Sequence, residues 1–261
     1  MSDGNDSGPS RSAAIGAFVI GDEILVGKRS DKHFAFLIGA LAKRGLRLSW
    51  CEYLGDEAER LTAALTRSFA SGDIVFSFGG IGATPDDLTR ECAARALGVP
   101  VVLHPEAERE IRERFGGELT PQRLKMGEFP RGAEIIPNPV NRIAGFSVRE
   151  HHFVPGFPQM AVPMVEWVLD TRYAALAGRD SWEESSIRVF DAGEGQLMPI
   201  MERISARLVR AKLFSLPTIA PDGARRNVEL GVRGLPAEVS VAMSEIRDWV
   251  RAAGFPFEET R

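Results

Sequence analysis

The reading of the chain turns on DIVFSFGGIGATPDDLT, residues 73–89. Its first six residues form a short apolar run that stops at a double glycine, which predicts a buried parallel strand over 73–78. The loop that follows carries Gly79, Gly80 and Gly82, then Thr84, Asp86 and Asp87. Glycines let a backbone come close to a ligand, and exposed N–H groups ahead of a helix favour an anion such as phosphate. A purely local reading competes with this one. In it, Thr84 or Asp86 caps the next helix, Pro85 sits in its first turn, and Asp86 and Asp87 complement its dipole. The loop is neither a Walker sequence nor the GxGxxG pattern. Residues 88–97 then read as a helix stopped by Gly98.

Working outward, AAIGAFVI at 13–20 is a second buried strand, and it ends at Gly21, Asp22 and Glu23. A helix follows over 31–44, with Phe34, Leu37, Ile38 and Leu41 at helical spacing. A strand at 46–54 and an amphipathic helix at 57–71 precede the decisive stretch. Beyond it come a charged helix at 106–115 and a short helix near 122–127. Strands at 133–137 and 146–154 flank a Pro/Asn/Gly-rich turn. The second leads through Pro155 and Gly156 into a helix at 160–173. Strands alternating with helices predict a parallel sheet covered on both faces, closing near Gly178. The rest reads strand 185–191, helix 195–207, strands 212–216 and 227–234 joined by a turn-rich 217–226, and helix 237–253. That order suggests a small ferredoxin-like α+β domain. The expected organisation is a disordered tail at 1–12, a main domain at 13–178 and a small domain at 179–261.

In open parallel sheets, ligands gather outside the carboxyl ends of the strands. Gly21, Asp22 and Glu23 are either a solvated turn or, opposite Asp86 and Asp87, part of an acid group that holds Mg²⁺ beside a phosphate. Pro155 and Gly156 form either a rigid turn before a helix or a pocket wall with the Phe157 ring. Ser77 and Cys92 are poor nucleophiles, since no histidine is placed beside them and Gly-x-Ser-x-Gly is absent.

The chain has 261 residues and a net charge of −4, and this balance argues against a general nucleic-acid binder. Its two cysteines form no CxxC, and its four histidines lack zinc-ligand spacing. No apolar run is long enough to span a membrane, and the polar start is not a signal peptide. The expected location is the cytoplasm.

Several segments together resemble the N-terminal domain of CinA-type proteins, a branch of the molybdopterin-binding (MoaB/Mog-like) family. They are GDEILVG at 21–27, YLGD at 53–56, GGIGATPDDLT at 79–89, IPNP at 136–139 and VPGFP at 154–158. The similarity runs from Ala13 to about Leu176, and GGxGxTxDD is its most specific part. It implies a three-layer α/β/α domain with a mostly parallel sheet. It also implies a small phosphate-bearing ligand, molybdopterin or a nucleotide, and a homo-oligomer, dimer or trimer. Carried over by position, Gly79, Gly80, Gly82 and Thr84 hold the phosphate, with Gly21, Pro155 and Gly156 around it. Asp22, Asp86 and Asp87 are the expected catalytic acids, and Glu23 supports them. Asp22 and Asp87 are the expected ligands of Mg²⁺ or another divalent ion. Two activities are implied: ligand binding alone, or metal-dependent hydrolysis of ADP-ribose or a related dinucleotide; a non-catalytic interaction module is the third alternative. The chain departs from relatives at Lys32-His33-Phe34, where they read Thr-Asn-Ser. It departs again at 141–145, where they read Gly-Thr-Ala-Pro-Gly. The amidase domain that ends full CinA proteins is not matched, so its activity is not implied.

Overall fold

A computed structural model describes residues 14–178, 182–218 and 226–260. The expected tail at 1–12 and most of the turn at 217–226 lie outside these residues. The chain divides into two compact units, the first ending at Ala177 and the second beginning at Gly178. Among the described residues, no helix is long and apolar enough to cross a membrane.

The first unit runs β1 (Ile15–Ile20), α1 (Asp22–Leu25), α2 (His33–Ala42), β2 (Trp50–Leu54), α3 (Ala58–Ser71), β3 (Ile74–Phe78) and α4 (Thr89–Leu97). It continues β4 (Val101–Leu103), α5 (Pro105–Phe115), α6 (Pro121–Lys125), β5 (Glu128–Pro130), β6 (Glu134–Ile136), β7 (Gly145–Val148), β8 (His151–Val154) and α7 (Pro158–Arg172). Six strands form one sheet in the order β2-β1-β3-β8-β7-β6. The first four are mutually parallel, and β7 runs antiparallel to both of its neighbours, β8 and β6.

Two-residue alternation along the strands supplies both faces. Ala17 and Val19 of β1 join Phe76 and Phe78 of β3 under α2 and α7, in a core with Leu37, Leu41, Met164 and Val168. Phe18 and Ile20 point the other way, with Val75, Phe146 and Phe153, against Leu61 and Leu65 of α3 and Cys92 and Ala93 of α4. The result is a three-layer α/β/α unit. Burying a side chain such as Phe18 or Leu65, each 0% exposed, contributes roughly 1.5–3 kcal/mol.

Residues 146–154, expected as one strand, are a hairpin. β7 and β8 pair with Val148 opposite His151, and Arg149 turns the chain at φ 50°. No Gly, Asn or Asp marks that turn, so its composition did not separate it from the strands. The small antiparallel pair β4 and β5 also escaped the sequence reading, each strand being three residues long.

The second unit runs β9 (Glu183–Phe190), α8 (Glu194–Ser205), β10 (Lys212–Thr218), β11 (Asn227–Gly234), α9 (Pro236–Ala252) and β12 (Phe257–Glu259). Its antiparallel sheet has the order β10-β11-β9-β12. β11 is inserted between β9 and β10, which makes this the split βαβ arrangement of a ferredoxin-like unit. Strand β12 completes the pattern and was not expected. Ile187, Leu230 and Val232 pack there against Leu197, Val239 and Ile246.

Candidate functional site

Because β1, β3 and β8 are parallel neighbours, their carboxyl ends share one edge of the sheet. Ile20 feeds Gly21 there, Phe78 feeds Gly79 and Val154 feeds Pro155. Backbone hydrogen bonds lock these exits together: Gly21 N–H donates to Leu54 O at 3.0 Å and Gly79 N–H to Val154 O at 3.0 Å. The exits open onto a cleft of about 810 Å³. Clefts of that size suit cofactor-sized ligands.

The glycine loop is one wall. Gly79 has φ 101° and Gly80 φ 68°. A Cβ on Gly79 would lie 2.3 Å from Ile20 O, and one on Gly80 2.1 Å from Thr89 Oγ1, so neither position accepts a side chain without movement. Thr89 ties the loop to α4: its N–H donates to Gly80 O at 3.0 Å and its hydroxyl to Gly79 O at 3.1 Å. The N–H groups of Ile81, Gly82 and Ala83 make no hydrogen bond to the described residues. They are three unpaired backbone donors on residues that line the cleft.

The local capping arrangement is not what forms. Helix α4 begins at Thr89, and Leu88 precedes it without a side-chain cap, so Pro85 lies outside the helix. Instead Thr84 and Asp87 close a turn of their own. Asp87 Oδ2 accepts from Thr84 N–H at 2.8 Å and from the Thr84 hydroxyl, and Asp87 N–H donates to Thr84 O. Asp87 Oδ2 also lies 2.4 Å from where a Gly82 Cβ would stand. Asp87, expected as a metal ligand, therefore uses its carboxylate to shape the loop. Asp86 is exposed, and hydrogen bonding from Thr84 holds its carboxyl below the usual range.

The acids of the first exit separate. Glu23 lines the cleft and folds back over Gly21, but Asp22 does not line it. Asp22 and Asp56 exchange backbone-to-carboxylate hydrogen bonds, Asp22 N–H to Asp56 Oδ2 at 3.0 Å and Asp56 N–H to Asp22 Oδ1 at 3.2 Å. Asp56, at the exit of β2, does line the cleft, and sequence reasoning had not placed it there. Burial raises its pKa, its hydrogen bond from the Asp22 N–H opposes that, and the charges of Asp22, Glu23 and Asp86 add to the rise. Its signal was the Gly55-Asp56 pair following a strand. Among the described residues, no group of three His, Cys, Asp or Glu side chains is assembled to hold a metal ion.

The remaining walls are mixed. Pro155, Gly156, Phe157 and Met160 line one side, and the Phe157 ring is 49% exposed. Pro158 opens α7 behind them. A Cβ on Gly156 would stand 3.3 Å from Gly79 Cα, so the two loops touch through their glycines. Asn141 and Ile143, from the segment that departs from relatives, also line the cleft. Arg29, Lys32 and His33 also line the cleft. Sequence reasoning noted Lys32 and His33 only as departures and gave them no role. Among the described residues, neither Arg29 nor Lys32 makes an ion pair, which leaves two cations free at the rim. Both cysteines are free thiols, and burial pushes Cys51 up to about 11, which makes it a weak nucleophile at neutral pH.

Residues 16–174 match the family model described as a probable molybdopterin binding domain. A CinA-like protein of Citrifermentans bemidjiense is 34% identical over 197 residues, covering 72% of this chain and 47% of its own length. A CinA-like protein of Anaeromyxobacter sp. strain Fw109-5 is 34% identical over 221 residues, covering 80% of this chain and 46% of its own. The chain thus spans about half the length of the curated relatives it matches. Among solved structures, the protein CinA of Thermoplasma acidophilum, of unknown function, is similar with a TM-score of 0.55 and 28% identity. That likeness covers 60% of this chain and 97% of the other.

Proposed function

The chain belongs to the family of probable molybdopterin binding domains, and from that premise we propose that its cleft binds a phosphate-bearing heterocyclic ligand such as molybdopterin or a nucleotide. The observation that carries this reading is the set of unpaired N–H groups at Ile81, Gly82 and Ala83, held open by glycines that no side chain can replace. Such donors fit phosphate oxygens. Arg29 and Lys32 add positive charge to the lining, and Phe157, Pro155 and Met160 offer an apolar face for a flat ring. Calorimetry and thermal shift with AMP, ADP-ribose and molybdopterin test it. Saturable binding that Gly82→Val abolishes is expected; no binding of any of the three overturns the reading.

A second reading, hydrolysis of a pyrophosphate, rests on the four carboxylates of Glu23, Asp56, Asp86 and Asp87 that line the same cleft. A divalent ion would neutralise phosphate charge and acidify water, and one or two of these acids with the ligand's own phosphates would hold it. AMP release from ADP-ribose with Mg²⁺ or Mn²⁺, lost in Asp86→Asn, is its signature. Tight binding without release leaves a binding protein.

A further inference from the structure

We propose that His33 is the residue by which this cleft reads the non-phosphate part of its ligand, its Nε2 accepting a hydrogen bond from a ring N–H, an amine or a sugar hydroxyl. The contact rests on the ligand class proposed above, and it adds a specificity determinant beside the glycine loop.

Four donors converge on Asp31 beside it. Asp31 Oδ1 accepts from the His33 backbone N–H at 2.8 Å and lies 2.9 Å from His33 Nδ1. Asp31 Oδ2 accepts from Phe34 N–H at 3.0 Å and from the Tyr53 hydroxyl at 2.8 Å. Burial works against this carboxylate, but the four hydrogen bonds outweigh it and hold its pKa below the ordinary value. An ionised carboxylate only accepts, so the proton of the neutral imidazole sits on Nδ1 and the lone pair on Nε2.

The ring is fixed in that pose. It packs on Phe78 with centroids 4.7 Å apart, and His33 is 6% exposed. Its Nε2 is buried and has no hydrogen-bond partner. His33 nevertheless lines the cleft, together with Phe78, Ile24 and Met160. An unpaired buried acceptor is destabilising, and an apolar ring would fill the same space without that cost. Helix α2 does not need the imidazole either, since Asp31 already caps its first two N–H groups. An unpaired lone pair on a fixed side chain that lines a ligand cleft is matched by a donor that arrives with the ligand.

The test uses the full chain, with AMP and inorganic phosphate as probes in calorimetry. His33→Phe is expected to weaken AMP about ten-fold while leaving phosphate unchanged, because only AMP reaches past the glycine loop. Unchanged AMP affinity in His33→Phe, with both probes binding wild type, overturns the assignment. Wild type that binds neither probe overturns the ligand reading beneath it. A long-range ¹H–¹⁵N spectrum of the free wild-type protein gives an independent check: Nδ1–H with a bare Nε2 supports the assignment, and Nε2–H overturns it.

Discussion

Gly79→Ala puts one methyl group where the structure has least room for it. Gly79 sits at φ 101°, and the added Cβ would stand 2.3 Å from Ile20 O and 3.3 Å from Ile20 C. The backbone conformation alone costs on the order of 1–2 kcal/mol for a residue with a side chain. The contact is with a carbonyl, not with a flexible side chain. Strand β1 cannot withdraw it, because β1 is paired on one side with β2 and on the other with β3. Relief must therefore move the end of β3, at a further cost of about 1–3 kcal/mol typical of overpacking. A loss near ~3 kcal/mol corresponds to a fall of about 6–12 °C in the melting temperature of a unit this size. The displaced loop also redirects the N–H groups of Ile81 to Ala83, so AMP and phosphate affinity should both drop at least about ten-fold, or ~1.4 kcal/mol. Gly156→Ala is the control. Its Cβ would meet only Gly79 Cα at 3.3 Å, and the cost should stay below about 1 kcal/mol. Differential scanning calorimetry and titration on the two variants decide the matter. A Gly79→Ala protein that melts within about 2 °C of wild type and still binds phosphate would refute both the steric argument and the site built on it.

Asp31→Asn should destabilise the first unit by about 1–2 kcal/mol, by weakening the hydrogen bonds that start α2. Because Asp31's folded pKa lies below its ordinary 3.8, its contribution is present above that pH and disappears as the pH falls, so wild type and variant should converge in strong acid. His151 and His152 are held neutral, first by burial and then by nearby cations, with pKa values lowered to about 4 and about 3. Folded values below the ordinary 6.5 mean that their contribution is full above 6.5 and is lost as the pH falls toward 4 and then 3. Urea midpoints of the first unit should therefore decline over that range, and His151→Phe should flatten the upper part; an unaltered decline counts against it. Leu230→Ala, at a side chain 0% exposed in the second unit, should cost about 2–5 kcal/mol there while phosphate affinity stays at the wild-type value.

The parallel core was legible because its central strands are short, mostly apolar and followed by glycines, as at 74–78 before Gly79. The ends of the sheet were not. Strand β12 is three residues long, and β7 and β8 turn at Arg149-Glu150, residues that carry no turn signal. In the cleft, the sequence placed Gly79, Gly80, Gly82 and Gly156 where close approach matters, since the need for a missing Cβ is written in the residue type itself. It could not say which acid faces inward. Asp22 and Asp56 trade places relative to the cleft through a pair of reciprocal hydrogen bonds spanning 34 residues of chain, a tertiary fact with no local signature.

The same distinction bears on what the cleft recognises. The wall proposed to hold phosphate is made of backbone, so its shape follows from the glycine positions. Arg29, Lys32 and His33 line the cleft with side chains, and the exposed Arg29 and Lys32 can change without disturbing β1 or α2. Lys32 and His33 stand where relatives read Thr-Asn, a change from two short neutral side chains to one cation and one oriented acceptor. A chain that had only lost function there would be expected to fill the corner with an apolar residue, because a buried nitrogen without a partner is a standing cost. That His33 is instead clamped by Asp31 and stacked on Phe78 argues that this part of the lining is adapted to a ligand with a different complement of charge and donors. Exchanging His33 alone for Asn should then leave phosphate affinity unchanged and shift the preference among nucleotides. Identical preference before and after the exchange would place specificity in the 141–145 segment instead.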